Sequence, residues 1–173
     1  GGNGNDSLYG GEGHDDLNGG YGDDYIEGGN GNDELEGSYG NDRLYAGAGN
    51  DELEGGEGND RLISHDGNDD LDGGNGNDSM NGGVGNDTLE GGRGIDWLTG
   101  GSGADVFEFE RGDGRDFITD FQNGVDRVEL DDFSATQLRS AINGAQQRGA
   151  DLVLTLSSDT VITFRDMEKA QLD

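Results

Sequence analysis

Twelve consecutive blocks of nine residues, running from Gly1 to Glu108 without an insertion or deletion, share one pattern: Gly-Gly-x-Gly-x-Asp-x-apolar-x. Gly1 to Tyr9 (GGNGNDSLY), Gly28 to Glu36 (GGNGNDELE) and Gly73 to Asn81 (GGNGNDSMN) show it undisturbed. The fourth place is Gly in every row from Gly4 to Gly103, and the sixth is Asp in every row from Asp6 to Asp105. The eighth is always apolar: Leu8, Leu17, Ile26, Leu35, Leu44, Leu53, Leu62, Leu71, Met80, Leu89, Leu98 and Phe107. A short period held in strict phase marks stacked, near-identical units, each of which buries its apolar face only against its neighbours.

Composition shows why such stacking needs help. The 173 residues carry 39 acidic against 10 basic side chains, a formal charge of −29, with 37 Gly, 28% hydrophobic residues and neither Pro nor Cys. That charge excludes nucleic acid as a partner, and neither a large apolar core nor a disulfide framework is available. No apolar run approaches the roughly 18 residues of a membrane span, and no secretory leader opens the sequence. Low hydrophobicity at high net charge is otherwise the signature of a disordered, solvating polymer. Three residue types held in phase contradict that reading for a liganded chain; the metal-free chain is expected to be disordered.

Within a row, three residues around the apolar place suit a very short strand, and the six Gly-containing residues suit a tight turn using positive φ. Asn or Asp at the fifth place, as in Asn5, Asp23 and Asn32, is expected there for its tolerance of left-handed geometry. One row reverses the chain, so two rows complete a coil of eighteen residues, and strand n lies beside strand n+2 at roughly 4.8 Å with the eighth-place side chains inward. The Asp of row n then stands over the Asp of row n+2. Such a column of carboxylates repels itself by about 1 kcal/mol per neighbouring pair even in water.

A divalent cation in each coil-to-coil gap reverses the sign of that interaction. Only Asp and backbone oxygens are on offer, and hard oxygen ligands without His or Cys select Ca²⁺ over zinc or copper. Mg²⁺ resists the near-complete dehydration that linked carbonyls demand. Pairing each of the twelve rows with the row two places on gives ten gaps, five per edge, and ten Ca²⁺ would move the charge from −29 to −9.

GGNGNDELE and GGNGNDSMN resemble the RTX, or haemolysin-type calcium-binding, nonapeptide. The resemblance covers residues 1–108 and implies an all-β fold, a right-handed parallel β-roll of about six coils, followed by a mostly-β capping segment over 109–173 with one or two short helices. It also implies a ligand set for each gap: the carbonyls of the second and fourth places and the Asp of one row, facing the carbonyls of the first and third places and the Asp one coil later. On the edge of the odd rows, Gly2, Gly4 and Asp6 would face Gly19, Tyr21 and Asp24. Gly20, Gly22 and Asp24 would face Gly37, Tyr39 and Asp42, and Ser38, Gly40 and Asp42 would face Gly55, Glu57 and Asp60. Gly56, Gly58 and Asp60 would face Gly73, Asn75 and Asp78, and Gly74, Gly76 and Asp78 would face Gly91, Arg93 and Asp96. On the other edge, Gly11, Gly13 and Asp15 would face Gly28, Asn30 and Asp33, and Gly29, Gly31 and Asp33 would face Ala46, Ala48 and Asp51. Gly47, Gly49 and Asp51 would face Ser64, Asp66 and Asp69, and His65, Gly67 and Asp69 would face Gly82, Val84 and Asp87. Gly83, Gly85 and Asp87 would face Gly100, Ser102 and Asp105. Each inner Asp would bridge two ions.

Three rows depart from the pattern. Ser38 replaces a second-place Gly, Ala46 a first-place Gly, and the eighth row opens Ser64-His65-Asp66. Carbonyl ligands survive a changed side chain but the backbone angles need not, so calcium is expected to be weaker or absent around Ser64 to Gly67. His65 admits a reading as a transition-metal ligand or general base; with only His14 for company, a solvent-facing loop histidine is the favoured one.

After Phe107 the period breaks. Phe107-Glu108-Phe109, Phe117 to Phe121 and Gly124 to Leu130 read as strands, with Gly112 to Asp116 as a turn. Ser134 to Gln137 reads as a capping box opening a helix that stops at Gly144. Leu152 to Leu156 and Val161 to Phe164 read as a hairpin around Ser158 and Asp159. A segment of this kind would cover the open end of a roll. FITDFQNGVDRVELDDF is also similar to the sequence that follows the β-roll in serralysin-type metalloproteases and other type I secreted proteins. Asp113, Asp116 and Asp120 are either final calcium ligands or ordinary polar turn residues, and Trp97 is expected to face outward or pack under the cap. In that family a few further, often apolar, residues follow the stretch matching 166–173 as part of the export signal. Their absence, like the start inside a repeat, suggests a fragment.

No G-x-S-x-G, H-E-x-x-H or G-x-x-x-x-G-K is present, and paired acids are accounted for by calcium, so no catalysis is expected of this chain. The resemblance implies a secreted, extracellular or cell-surface module that binds up to about ten Ca²⁺ and folds on doing so. Its other partners would be the type I secretion apparatus during export and a covalently linked upstream domain. Alternatives are the roll of an adhesin or ice-binding protein, and the C-terminal part of a secreted protease, lipase or polysaccharide-modifying enzyme. The third places Asn3, Glu12, Tyr21, Asn30, Tyr39 and Ala48 lack the flat repeated Thr or Asn row that ice would want.

Overall fold

A computed structural model describes residues 1–167; residues 168–173, at the end of the stretch discussed with the export signal, lie outside it. The chain winds as an all-β parallel solenoid of about seven turns, with one short helix and a few C-terminal strands. Each strand pairs in parallel with the strand one coil later: Ser7–Glu12 with Tyr25–Asn30, that strand with Arg43–Ala48, and so on through Trp97–Ser102. A second stack runs from Asp16–Tyr21 through Glu34–Tyr39 and Glu52–Glu57 to Asp70–Gly76. The register is Leu8 to Ile26 and Gly11 to Gly29, a pitch of eighteen residues.

The strands are longer than the sequence suggests. They run for six residues, from the seventh place through the third place of the next row, and only the fourth to sixth places turn. The Gly pair that reads as turn is therefore extended ladder, and positive φ is confined to its second Gly and the fourth-place Gly, as at Gly56 (φ 100°) and Gly58 (φ 141°). A Cβ at Gly58 would overlap the carbonyl oxygen of Gly40, so this place needs Gly for close approach as well as for φ.

The fifth place also differs from expectation. Asn5, Asp23 and Asn32 have no positive φ. Their side chains accept a hydrogen bond from the backbone N–H of the fifth place one coil later: Asn5 Oδ1 from Asp23, Asp23 Oδ1 from Asn41, Asn32 Oδ1 from Asn50, at 2.9–3.0 Å. His14 takes the same position through Nδ1, 2.7 Å from Asn32 N. The Asn column thus satisfies turn N–H groups that strand pairing leaves free.

All inward eighth-place side chains from Ile26 to Phe107 are buried, and Leu8 and Leu17 pack partly against them. The core continues through Phe109, Ile118, Leu152, Leu154, Ile162 and Phe164 without a break. Val106–Phe109 pairs in parallel with Arg127–Leu130, and Gly114–Ile118 with Thr160–Phe164. Ser134 caps the helix Ala135–Gly144 through the expected box with Gln137, and Leu152 to Thr155 pairs antiparallel with Val161 to Phe164. Trp97 is 42% exposed, stacked on Phe117 at 4.6 Å with Arg165 over its ring at 5.6 Å. Among the described residues no helix is long and apolar enough to cross a membrane.

Two second places hold a side chain at positive φ, Ser38 at 75° and His65 at 79°. Left-handed backbone costs a non-Gly residue roughly 1–2 kcal/mol, partly offset by the extra freedom Gly gives the unfolded chain. His65→Gly should therefore stabilise the folded roll by about 1 kcal/mol. Ser38→Gly should gain less, because it removes the 2.7 Å bond from Ser38 Oγ to Glu36. Thermal unfolding in calcium-containing buffer measures both.

Candidate metal centre

The sixth-place aspartates form two columns, one along each edge of the roll. In each, Asp Oδ1 accepts the backbone N–H of the Asp one coil earlier: Asp24 from Asp6, Asp33 from Asp15, Asp42 from Asp24 and onward, at 2.6–3.2 Å. The carboxylates from Asp24 to Asp105 are buried, at 0–3% exposure. Twelve column aspartates, in unbroken series from Asp15 to Asp105 with Asp116 beyond, have an Oδ2 with no hydrogen-bond partner. A buried, unpaired carboxylate oxygen is expensive, and twelve in two lines require a cation that the protein chain does not itself provide.

Each Oδ2 faces a particular space. A Cβ built on Gly10 would sit 2.5 Å from Asp15 Oδ2 and 2.6 Å from the carbonyl oxygen of Gly28, one coil on. On Gly55 it would sit 2.7 Å from Asp60 Oδ2 and 2.6 Å from Gly73 O. First-place carbonyls thus face back into the gap, and third-place carbonyls do so too, Tyr39 O accepting from Gly22 N at 2.8 Å. Second- and fourth-place carbonyls face forward, as Gly11 O lies against Gly29 and Gly13 O against Gly31. Carboxylate and carbonyl oxygens thus face one another across these gaps, a hard, all-oxygen lining of the kind that suits Ca²⁺. Among the described residues no three His, Cys, Asp or Glu side chains converge, because most of that lining is backbone.

The irregular rows fall where the sequence put them. Ala46 fits a first place with its methyl buried. Ser64 is different: its buried Oγ donates to Gly82 O at 2.5 Å, so a hydroxyl engages a carbonyl that elsewhere faces its gap unencumbered. The His65 side chain is exposed as expected, but it stands in the strand Arg61–Asp66, paired with Gly47 and Gly83, and not on a loop.

Beyond Glu108, Asp116 Oδ1 accepts from Asp96 N and Asp126 Oδ1 from Asp105 N, extending both columns. Asp120 instead accepts from Gly100 N and Gly101 N, and Asp113 Oδ2 from Glu110 N. Asp126 escaped sequence reading because its distance from Asp105 is 21 residues, out of phase with eighteen. The outer surface of the second stack adds further acids in register, Glu36 beside Glu54 and Glu54 beside Asp72.

These surroundings raise the carboxyl pKa values. Burial pushes Asp51, Asp60 and Asp87 up to about 6 and Asp78 up to about 8; the donated backbone N–H opposes this, and carboxylates one coil away add to it. Burial likewise raises Glu90 to about 7, with Asp72 adding to the shift.

The RTX calcium-binding nonapeptide repeat profile matches residues 1–35, 18–53, 27–62, 49–80 and 81–118. No curated protein matches the chain. The crystal structure of the extracellular lipase LipA from Serratia marcescens aligns with 98% of this chain at a TM-score of 0.59 and 20% identity, a likeness of fold. The chain spans 37% of that lipase.

Groups whose folded pKa lies above the unfolded value stabilise the fold fully below the unfolded value, and that contribution is lost as pH rises through the folded one. Without metal, β structure should therefore be strongest near the unperturbed value of 3.8 and decline as pH climbs through about 6 to about 8. With calcium the order should reverse, since protons compete for the same oxygens. Circular dichroism against pH, with and without a chelator, reads both. The stacked all-oxygen gaps and the profile match over residues 1–118 place this chain in the RTX calcium-binding nonapeptide repeat family.

Proposed function

We propose that this chain is a calcium-driven folding module of a larger secreted protein, unfolded where Ca²⁺ is scarce and folded where it is plentiful. The observation that carries this reading is the unbroken series of buried carboxylate oxygens without partners, a cost the fold sustains only when cations neutralise it. Bound calcium would supply positive charge between loops and direct bonds to their oxygens. The residues proposed to hold it are the second- and fourth-place carbonyls and Asp of one row with the first- and third-place carbonyls and Asp of the next coil. The gap between the eighth and tenth rows should bind most weakly, because Ser64 already engages Gly82 O.

Because each inner Asp belongs to two gaps, filling one orders a ligand of the next, which makes folding cooperative in calcium. Such a chain can be exported through a narrow type I apparatus in an unfolded state and fold outside the cell. The activity of the parent protein is proposed only as something carried by a domain linked to this one.

Titrating calcium into the chelated chain should give a steep, sigmoidal gain of β signal by circular dichroism, with a parallel change in Trp97 fluorescence. A β spectrum that is the same with and without chelator would refute the reading.

A further inference from the structure

The roll has two broad outer faces of opposite character. Both stacks turn their eighth-place side chains inward, so their seventh and ninth places form faces that look away from each other. On the second stack three successive coils put two acids each on this face, Glu34 with Glu36, Glu52 with Glu54 and Asp70 with Asp72, paired in register. Like charges directly opposite one another on a sheet repel. Among the described residues no Arg or Lys forms an ion pair with any of the six.

The first stack reverses the sign. Arg43 and Arg61, the only Arg or Lys before Arg93, lie side by side in register at seventh places, exposed and without an ion pair among the described residues. Beside them Tyr9, Tyr25 and Tyr45 form a chain of rings across three coils, with centroids 5.9 and 5.3 Å apart. The one acid at the seventh and ninth places of this stack, Glu27, accepts from the Tyr25 hydroxyl at 3.1 Å. Arg and Tyr are the side chains over-represented where proteins bind one another.

The two faces also match in position. The strand Arg43–Ala48 follows Glu34–Tyr39 and precedes Glu52–Glu57 along the winding chain, so the arginines and the acids stand at the same level of the roll. A second copy displaced sideways, without rotation, therefore sets Arg43 and Arg61 against the acid ladder. Face on face, six coils of six-residue strands cover about 600 Å² per copy, the low end for a specific contact.

We propose that the calcium-loaded roll associates with a second copy of itself, the face of Arg43, Arg61 and the tyrosines on one copy meeting the face from Glu34 to Asp72 on the next. The contact joins unlike faces, so each added copy leaves one of each kind free and association is open-ended. It rests on the reading of the roll as a calcium-driven fold, since only stacked coils assemble either ladder. Copies of net negative charge repel at long range, but salt at about 0.15 M screens that repulsion beyond about 8 Å while facing charges in contact still attract. The association is accordingly weak, and about 1 M salt, with a screening length of about 3 Å, should abolish it.

Sedimentation velocity of the calcium-loaded chain at about 0.15 M salt should show a weight-average mass that climbs with protein concentration. Arg43→Glu with Arg61→Glu, and Glu52→Arg with Asp70→Arg, should each weaken association about tenfold, whereas an equal mixture of the two variants should restore it, because each supplies the face that the other lacks. Circular dichroism in calcium verifies the fold of each; if a charge-reversed chain fails to fold, Arg43→Gln with Arg61→Gln and Glu52→Gln with Asp70→Asn take its place. A monomer at every concentration, or a mixture no more associated than its components, would overturn the proposal. So would undiminished association of the folded Arg43 and Arg61 variant, which would mean that calcium joins acidic faces. A parent chain that gains no β structure with calcium would instead refute the underlying reading.

Discussion

Everything in this molecule depends on carboxylates held one above another at coil spacing. In water such a column is a modest liability, but here the members from Asp24 to Asp105 are buried, and each has one oxygen bonded to the neighbouring backbone and one with no hydrogen-bond partner. Burial strengthens any charge interaction, favourable or not. With cations between them the columns tie each loop to the next; without cations the same oxygens push the loops apart. Twelve apolar side chains stacked in single file are a thin core against the ordering of so many Gly-rich residues, which is why the proposed function gives the electrostatic contribution the deciding part in folding.

Two neutral devices accompany the charged one. The Asn column along the turns satisfies backbone N–H groups by side-chain amide, independently of metal, and so ties every loop to its neighbour at the same eighteen-residue step. The apolar file sets which face points inward. Apart from Asp23 and His14, neither carries a titratable group, so neither depends on salt or pH in the way the Asp columns do. They fix register, and the metal sites supply the sensitivity to conditions.

The inward file and the Asp columns were fully legible in the sequence, because each place admits one residue type and its period is constant. Three features were not. Asn at a turn signals either left-handed backbone or a side-chain hydrogen bond, and only the φ angles of Asn5 and Asn32 distinguish them. The Gly pairs read as turn, yet they lie in ladders such as Gly11 beside Gly29, since a residue without a side chain fits the close stacking of two coils. The continuation of the Asp columns to Asp116 and Asp126 was hidden by insertions that lengthen the step to 20 and 21 residues, which erase the phase that makes a repeat visible while the loops absorb them.

The half-coil nature of each row constrains how such a chain can grow or shrink over evolutionary time. Removing a single row would rotate everything downstream by half a turn, carrying each later Asp to the opposite edge and the acidic outer face of one stack onto the other. Length can therefore change without such exchange only by whole coils of eighteen residues, whereas the insertions are found past the regular rows, where few coils remain to be misaligned. Duplication of paired rows is thus the natural unit of descent for this fold, and the terminal hairpin is the part free to diverge.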